Sequence, residues 1–136
     1  MKRVDHIAIA VHSLEEALAF YENALGLTRI CIETVEEQGV RVAKLDTGNT
    51  HIELLEPLSE NSPVAKFLSQ RGPGLHHICL GVPDIGAELD VLKEKQMRLI
   101  DQEPKIGAGG AKIAFVHPKA TGGVLLELSE PQANDH

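Results

Sequence analysis

Two histidines and two glutamates recur along the chain at nearly the same spacing. His6 returns as His77 and Glu53 returns as Glu127, 71 and 74 residues later, each inside a short apolar segment. Two neutral imidazoles and two carboxylates bind divalent ions of borderline hardness, among them Co(II), Mn(II), Ni(II), Zn(II) and Fe(II). Two carboxylates balance the charge of one such ion, and an octahedral ion keeps two further positions for water or substrate oxygens. We therefore predict one metal site built from these four side chains.

The other histidines lack this pattern. A lone histidine or glutamate in a strand is usually a packed or solvated residue, and only the joint recurrence of four favours a site. His76 precedes His77 directly, so that in a strand it points to the opposite face. His12, His51 and His117 lie near predicted strand ends, where solvent or a supporting position is the simpler interpretation.

The elements that carry these residues also repeat, as β-α-β-β-β in each half. In the first half, Ser13 and Glu16 have the spacing of a capping box, and a helical pattern continues to Gly26. In the second half, Asp84 precedes a predicted helix over 85–96. Between the halves we predict a linker helix over about 63–71, and 106–110 is expected to be a flexible loop. The predicted strands are 4–11, 27–34, 40–45 and 50–55 in the first half, and 75–82, 97–101, 111–116 and 123–129 in the second.

This arrangement predicts an α+β fold in which two modules share one cleft. The helix of each module covers one face of its sheet, and the free faces of two such sheets can pair. Because strand residues alternate between faces, the four candidate ligands can point into the cleft while their apolar neighbours face the helices. We expect a single domain over 1–136, with modules at about 4–58 and 75–130.

Composition restricts the classes of function. The apolar fraction is 43% and no apolar run approaches the length of a membrane span, while the start shows no signal peptide, so we expect a cytoplasmic protein. A formal net charge of −7 and 3% aromatic residues argue against nucleic acid and anionic membranes as partners. Cys31 and Cys79 lie far apart in apolar segments and are predicted to be reduced.

The chain resembles the vicinal oxygen chelate superfamily, which contains glyoxalases and extradiol dioxygenases. Within it, the similarity is closest to the methylmalonyl-CoA epimerase family, and it extends from about Val4 to Glu130. The histidine motifs are shared across the superfamily, whereas the pattern from Lys105 to Glu127 is more specific to the epimerases. The segments that carry the resemblance are Asp5–Val11, Glu37–Val40, Glu53–Leu58, Gly74–Cys79, Glu103–Gly110, Phe115–Lys119 and Gly122–Leu128.

The resemblance implies two paired βαβββ modules and one divalent metal held by His6, Glu53, His77 and Glu127. Co(II) is the first expectation, with Mn(II), Ni(II), Zn(II) and Mg(II) as alternatives. The implied reaction interconverts (R)- and (S)-methylmalonyl-CoA by removing and returning the proton next to the thioester, through a metal-stabilised enolate. A small CoA thioester is then the substrate, and a homodimer is expected.

Inversion of a carbon centre requires acid/base groups on opposite faces of the substrate. The resemblance points to Glu127 as one of them. Some family members have a second glutamate at the place of Val42, and valine carries no proton, so Glu53 or a metal-bound water is a candidate for the other role.

The substrate contacts are less well defined by the sequence. Gly109 and Gly110 lie in a stretch whose backbone N–H groups can meet an anion, although a plain connection is the alternative. Lys105, Lys112 and Lys119 can meet CoA phosphates, with solvated surface lysines as the alternative. We predict Gly109, Gly110 and Lys119 as substrate-binding residues.

Two other functions stay open. Another enzyme of the superfamily, a glyoxalase or an Fe(II) dioxygenase, shares the ligand positions but requires a glutathione or catechol pocket. A non-catalytic binding module keeps the fold without the chemistry, and the four intact candidate ligands argue against it.

Overall fold

The computed structural model describes residues 2–132 and divides into two compact units. The N-terminal unit comprises His6–His76, and the C-terminal unit comprises Met1–Asp5 with His77–His136. The predicted domain limits at 1 and at 133–136 lie outside the described residues. No helix among residues 2–132 has both the length and the apolar character that a membrane crossing requires.

The N-terminal unit is built on a four-stranded mixed sheet in the order β2-β3-β4-β1. Its strands are β1 (Arg3–Ala10, of which Arg3–Asp5 fall in the C-terminal unit), β2 (Thr28–Val35), β3 (Val40–Asp46) and β4 (His51–Pro57). β1 and β4 run parallel, and the other neighbours are antiparallel. The helices are α1 (Leu14–Leu18) and α2 (Pro63–Arg71), so that the predicted linker helix is confirmed.

One face of this sheet packs against α1. Leu14 and Leu18 of the helix cluster with Ala43, Leu45 and Leu54 of the strands. These strand residues alternate with the residues of the opposite face, which carries His6 and Glu53 and is called the histidine face below. The predicted separation of the apolar helix side from the side that carries His6 and Glu53 is therefore confirmed for this unit.

The first helix differs from its prediction in the middle. Ser13 does cap it, because its Oγ accepts from the Glu16 N–H at 3.2 Å. The α-helix ends at Leu18, however, and continues as a π-helical segment over Ala19–Ala24. The π-helical winding is seen at the Leu25 N–H, which donates to the Phe20 carbonyl five residues earlier at 2.8 Å. A helical spacing of apolar residues does not distinguish these two windings.

The C-terminal unit repeats the plan with the order β5-β8-β7-β6. Its strands are β5 (Gly74–Gly81, of which Gly74–His76 fall in the N-terminal unit), β6 (Lys105–Ile106), β7 (Lys112–Val116) and β8 (Leu126–Glu130). β5 and β8 are parallel, as are β1 and β4. Helix α3 (Ile85–Glu94) packs Ile85 and Leu89 against Ala114, Val116 and Leu128, and a short helix α4 (Pro118–Thr121) precedes β8.

The predicted strand over 97–101 is wrong. Only Leu99 forms a bridge there, to Val116, and the strand at the edge of the sheet is β6. Asp101 explains the interruption, because its side-chain Oδ2 accepts from the Phe115 N–H at 2.8 Å and replaces a backbone partner. The predicted flexible loop is also partly wrong: Ile106 belongs to β6, and Ala108–Gly110 forms a tight turn in which Gly109 has a left-handed backbone.

Candidate functional site

His6 and Glu53 form a buried pair in the N-terminal unit. Ala8, two residues after His6 on β1, lies beside Glu53 of the parallel strand β4, so the two side chains share one face. His6 Nδ1 lies 3.3 Å from Glu53 Oε2. The two residues are 6% and 5% exposed.

His77 and Glu127 form the same pair in the C-terminal unit. Cys79, two residues after His77 on β5, lies beside Glu127 of the parallel strand β8. His77 Nε2 lies 2.8 Å from Glu127 Oε1, and the residues are 7% and 6% exposed. The duplication seen in the sequence is thus a duplication of strand register as well.

The donor chemistry of both pairs fits a divalent ion. A buried carboxylate is costly unless a positive charge or several donors stabilise it. Each unit holds one such carboxylate against one imidazole, and both are donor types that borderline divalent metals prefer. The residues present are therefore suitable for the predicted metal, and the assignment of the four as ligands of one ion stays a prediction.

A second pair of glutamates, Glu56 and Glu130, accepts hydrogen bonds from the first residues of α1 and α3. Three residues after Glu53, the carboxylate of Glu56 accepts from the Leu14 N–H at the start of α1, at 2.9 Å. Three residues after Glu127, Glu130 accepts from the Ile85 N–H at the start of α3, also at 2.9 Å. An odd step along a strand reverses the face, so β4 and β8 each direct one glutamate to the histidine and one to the helix.

Four further side chains lie on the histidine face of the N-terminal unit. Lys44 is the partner of both Glu53 and Cys31, and Val42, 5% exposed, is the partner of Glu33. Burial first, and then the charge of Glu33, raise the pKa of the Cys31 thiol, while Lys44 acts in the opposite direction. Neither Cys31 nor Cys79 forms a disulfide, in agreement with the prediction that both are reduced. The position of Val42 is therefore buried and without a proton carrier of its own.

Phe115 lies on the face of the C-terminal unit's strands that carries His77 and Glu127, which is the histidine face of this unit. It is the partner of Glu127 across β7 and β8, and its ring meets the His77 ring edge-to-face with centroids 5.4 Å apart. The ammonium of Lys105 lies 5.2 Å from the centroid of the same ring and 3.2 Å from Asp101 Oδ1. Sequence reasoning missed Phe115 and Asp101, although the strand alternation that placed Glu127 also indicates residue 115.

The remaining histidines have other surroundings. The ring of His76 packs edge-to-face on Phe67 of α2, with centroids 4.9 Å apart. His117 caps α4, because its Nδ1 accepts from the Lys119 N–H at 3.0 Å. Desolvation first, and then the charges of Arg98 and Lys119, lower the pKa of His117. His12 is exposed and His51 is half-buried.

The predicted substrate-binding residues lie in a turn and in the short helix α4 of the C-terminal unit. Gly109 and Gly110 have φ of 68° and 77°, values that favour glycine, and a Cβ on Gly110 would collide with the side chain of Gln132. Lys119 is exposed in α4. The glycines are thus explained by backbone geometry, and their contact with substrate stays a prediction.

The chain belongs to the Glyoxalase/Bleomycin resistance protein/Dioxygenase superfamily, whose family model matches residues 5–115. Two of its relatives within this superfamily are epimerases. The human mitochondrial methylmalonyl-CoA epimerase is 46% identical over 129 residues, which cover 94% of this chain and 73% of that protein. The ethylmalonyl-CoA/methylmalonyl-CoA epimerase of Cereibacter sphaeroides is 46% identical over 130 residues, covering 94% and 97%. The predicted resemblance to methylmalonyl-CoA epimerases is confirmed.

Solved structures agree on the fold. A hypothetical protein from Bacillus halodurans matches with a TM-score of 0.95 at 44% identity, covering 99% of this chain and 98% of that one. A methylmalonyl-CoA epimerase in complex with methylmalonyl-CoA and NH4+ matches with a TM-score of 0.91 at 40% identity, covering 98% and 96%. The predicted α+β glyoxalase-like fold is therefore confirmed.

Proposed function

We propose that this protein is an epimerase that interconverts (R)- and (S)-methylmalonyl-CoA. The observation that carries the proposal is the duplicated buried His–Glu pair, in a chain 46% identical to two epimerases of this substrate class. A likeness to an epimerase structure that contains methylmalonyl-CoA supports the same substrate.

His6, Glu53, His77 and Glu127 together hold one divalent ion in this proposal. Two imidazoles and two carboxylates leave positions open for substrate oxygens, and Co(II) is the first candidate. The bound ion supplies Lewis acidity towards the thioester oxygen of the substrate. The protein's own contribution is the placement of these four side chains by the parallel strand pairs β1/β4 and β5/β8.

Proton transfer is assigned to glutamates of the same site. Glu127 is the first candidate for the base that removes the proton, and Glu53 is the candidate for the acid on the opposite face of the substrate. Val42 is buried beside Glu33 and cannot take this role. The low exposure of both glutamates excludes bulk water from their carboxylates, which favours transfer to the substrate rather than to solvent.

The substrate-binding assignment of Gly109, Gly110 and Lys119 belongs to the same proposal. The left-handed backbone at the two glycines permits a close approach of the chain to a ligand, and the exposed ammonium of Lys119 is suited to anionic parts of CoA. A homodimer and a cytoplasmic location stay predictions from the sequence.

Deuterium uptake tests the function directly. Methylmalonyl-CoA is incubated with the metal-loaded protein in D₂O, and mass spectrometry follows incorporation at the carbon between thioester and carboxylate. We expect one deuterium per molecule, loss of uptake with a chelator, and loss of uptake in His77→Ala. His76→Ala is the matched control, because its ring packs on Phe67, and it retains uptake. Absence of exchange in the wild-type protein would favour a glyoxalase or dioxygenase instead.

A further inference from the structure

We infer that Lys105 recognises the free carboxylate of a malonyl-type acyl thioester, an inference that rests on the proposed function. Lys105 is the partner of Ile113 across β6 and β7, and Ile113 and Phe115 are on the same face of β7. Phe115 is in turn the partner of Glu127. The lysine therefore lies on the histidine face of the C-terminal unit, at its outer edge.

Its contacts hold the ammonium towards the buried pair. Nζ lies 5.2 Å from the Phe115 ring centroid, and that ring lies against the imidazole of His77. Asp101 fixes Nζ from the other side at 3.2 Å, while its second oxygen accepts from the Phe115 N–H at 2.8 Å. The Lys105 ammonium thus lies against the Phe115 ring, and that ring lies against the His77 imidazole, which contacts Glu127.

This position suits a carboxylate rather than a structural ion pair alone. An ammonium has three donors, and Asp101 uses one of them, so two stay available. The side chain of Lys105 is 40% exposed and can be approached from solvent, whereas that of Asp101 is 17% exposed. Removing the proton of a malonyl thioester adds negative charge next to its carboxylate, and a nearby cation offsets that charge.

The other lysines of this region are placed differently. Lys112 is exposed and precedes Ile113, so it points to the opposite face of β7, and Lys119 is exposed in α4. Lys112 is thus a matched control for Lys105: both are lysines on adjacent strands, and both lose one charge on substitution by methionine.

The test compares two thioesters that differ by one carboxylate. Calorimetry measures the Kd of malonyl-CoA and of propionyl-CoA for the metal-loaded wild type, Lys105→Met, Lys105→Arg and Lys112→Met, with bound metal and thermal stability measured for each. We expect the wild type to prefer malonyl-CoA and Lys105→Met to weaken only that ligand, by about 10- to 100-fold, the range of a charged hydrogen bond. Lys105→Arg keeps most of the preference, and Lys112→Met keeps all of it. If Lys105→Met does not fold, Lys105→Gln replaces it.

The outcomes separate this inference from the proposed function. Equal weakening of both thioesters in Lys105→Met, or an unchanged preference, overturns the role of Lys105 while the epimerase assignment stands. A wild type that binds neither thioester overturns both. The readout is binding, so an effect on turnover alone does not decide it.

Discussion

Replacing Glu56 or Glu130 by alanine should destabilise the protein by similar amounts. Each carboxylate accepts one N–H at the start of a helix, at 2.9 Å, where it also meets the positive end of the helix dipole. A hydrogen bond to a charged group contributes about 1.5 to 3 kcal/mol, and partial exposure of these side chains reduces it to about 1 to 2 kcal/mol. With an unfolding entropy of about 2.1 cal/mol/K per residue, this lowers Tm by about 4 to 7 °C.

The Glu56 variant should lie at the upper end of that range. Arg41 Nε is buried, lacks a hydrogen bond of good geometry and lies 3.2 Å from Glu56 Oε1. Loss of the carboxylate therefore leaves the guanidinium with less compensation, although Glu15 still pairs with its Nη2 at 2.7 Å. Glu130 has no such second partner among the salt bridges of residues 2–132, so its loss measures the cap alone.

Thermal unfolding followed by circular dichroism, together with urea titration, measures the effect. Glu15→Ala serves as the control, because its side chain is 73% exposed and its ion pair with Arg41 lies at the surface. That change should lower Tm by less than either alanine change at position 56 or 130, because solvent screens the exposed pair. Glutamine variants at positions 56 and 130 keep an acceptor and should recover part of the loss. If both alanine variants have the same Tm as the Glu15→Ala control, the starts of α1 and α3 do not depend on these glutamates.

Three further predictions concern the histidines and a thiol. His77→Ala should lose bound metal and turnover, measured by elemental analysis and epimerisation, and a variant that retains both contradicts the ligand assignment. His117 should titrate by NMR below the ordinary pKa of about 6.5, and Arg98→Met should raise its pKa, because a repelling charge is removed. As pH falls, the unfolded chain protonates at this histidine before the folded chain does. The stability that neutral His117 contributes is therefore fully present above the unfolded pKa and is lost as pH falls through the folded pKa. Cys31 should react with iodoacetamide at pH 8 more slowly than in the unfolded chain, and Glu33→Gln should accelerate it; unchanged rates would contradict the influence of Glu33.

The sequence allowed the paired residues to be predicted because duplication adds information that no single residue has. His6 alone resembles any strand histidine, but His77 and the two glutamates repeat its context at matching distances. The structure brings His6 to Glu53 and His77 to Glu127 through the same parallel register. Alternation along β4 and β8 also sufficed to separate Glu53 and Glu127 from their helix-facing neighbours.

Three elements outside the duplicated His–Glu strands could not be predicted in the same way. The strand expected over 97–101 has an apolar pattern, yet the Asp101 side chain bonds to the backbone of β7 and ends the pairing there. The two residues of β6 are too few for any periodicity. The π-helical segment over Ala19–Ala24 differs from an α-helix only in its hydrogen bonds, which leave no trace in the spacing of apolar residues.

The strands β4 and β8 connect the stability of each unit to its chemistry. On β8, Glu127 faces His77 and Glu130 faces the start of α3, and on β4 the corresponding residues are Glu53 and Glu56. A shift of either strand by one residue would reverse both faces, turning the capping glutamate towards the histidine and the histidine's own glutamate away from it. The helix cap and the His–Glu pair therefore select the same register, and each unit holds its buried carboxylate in place through its own strand pairing.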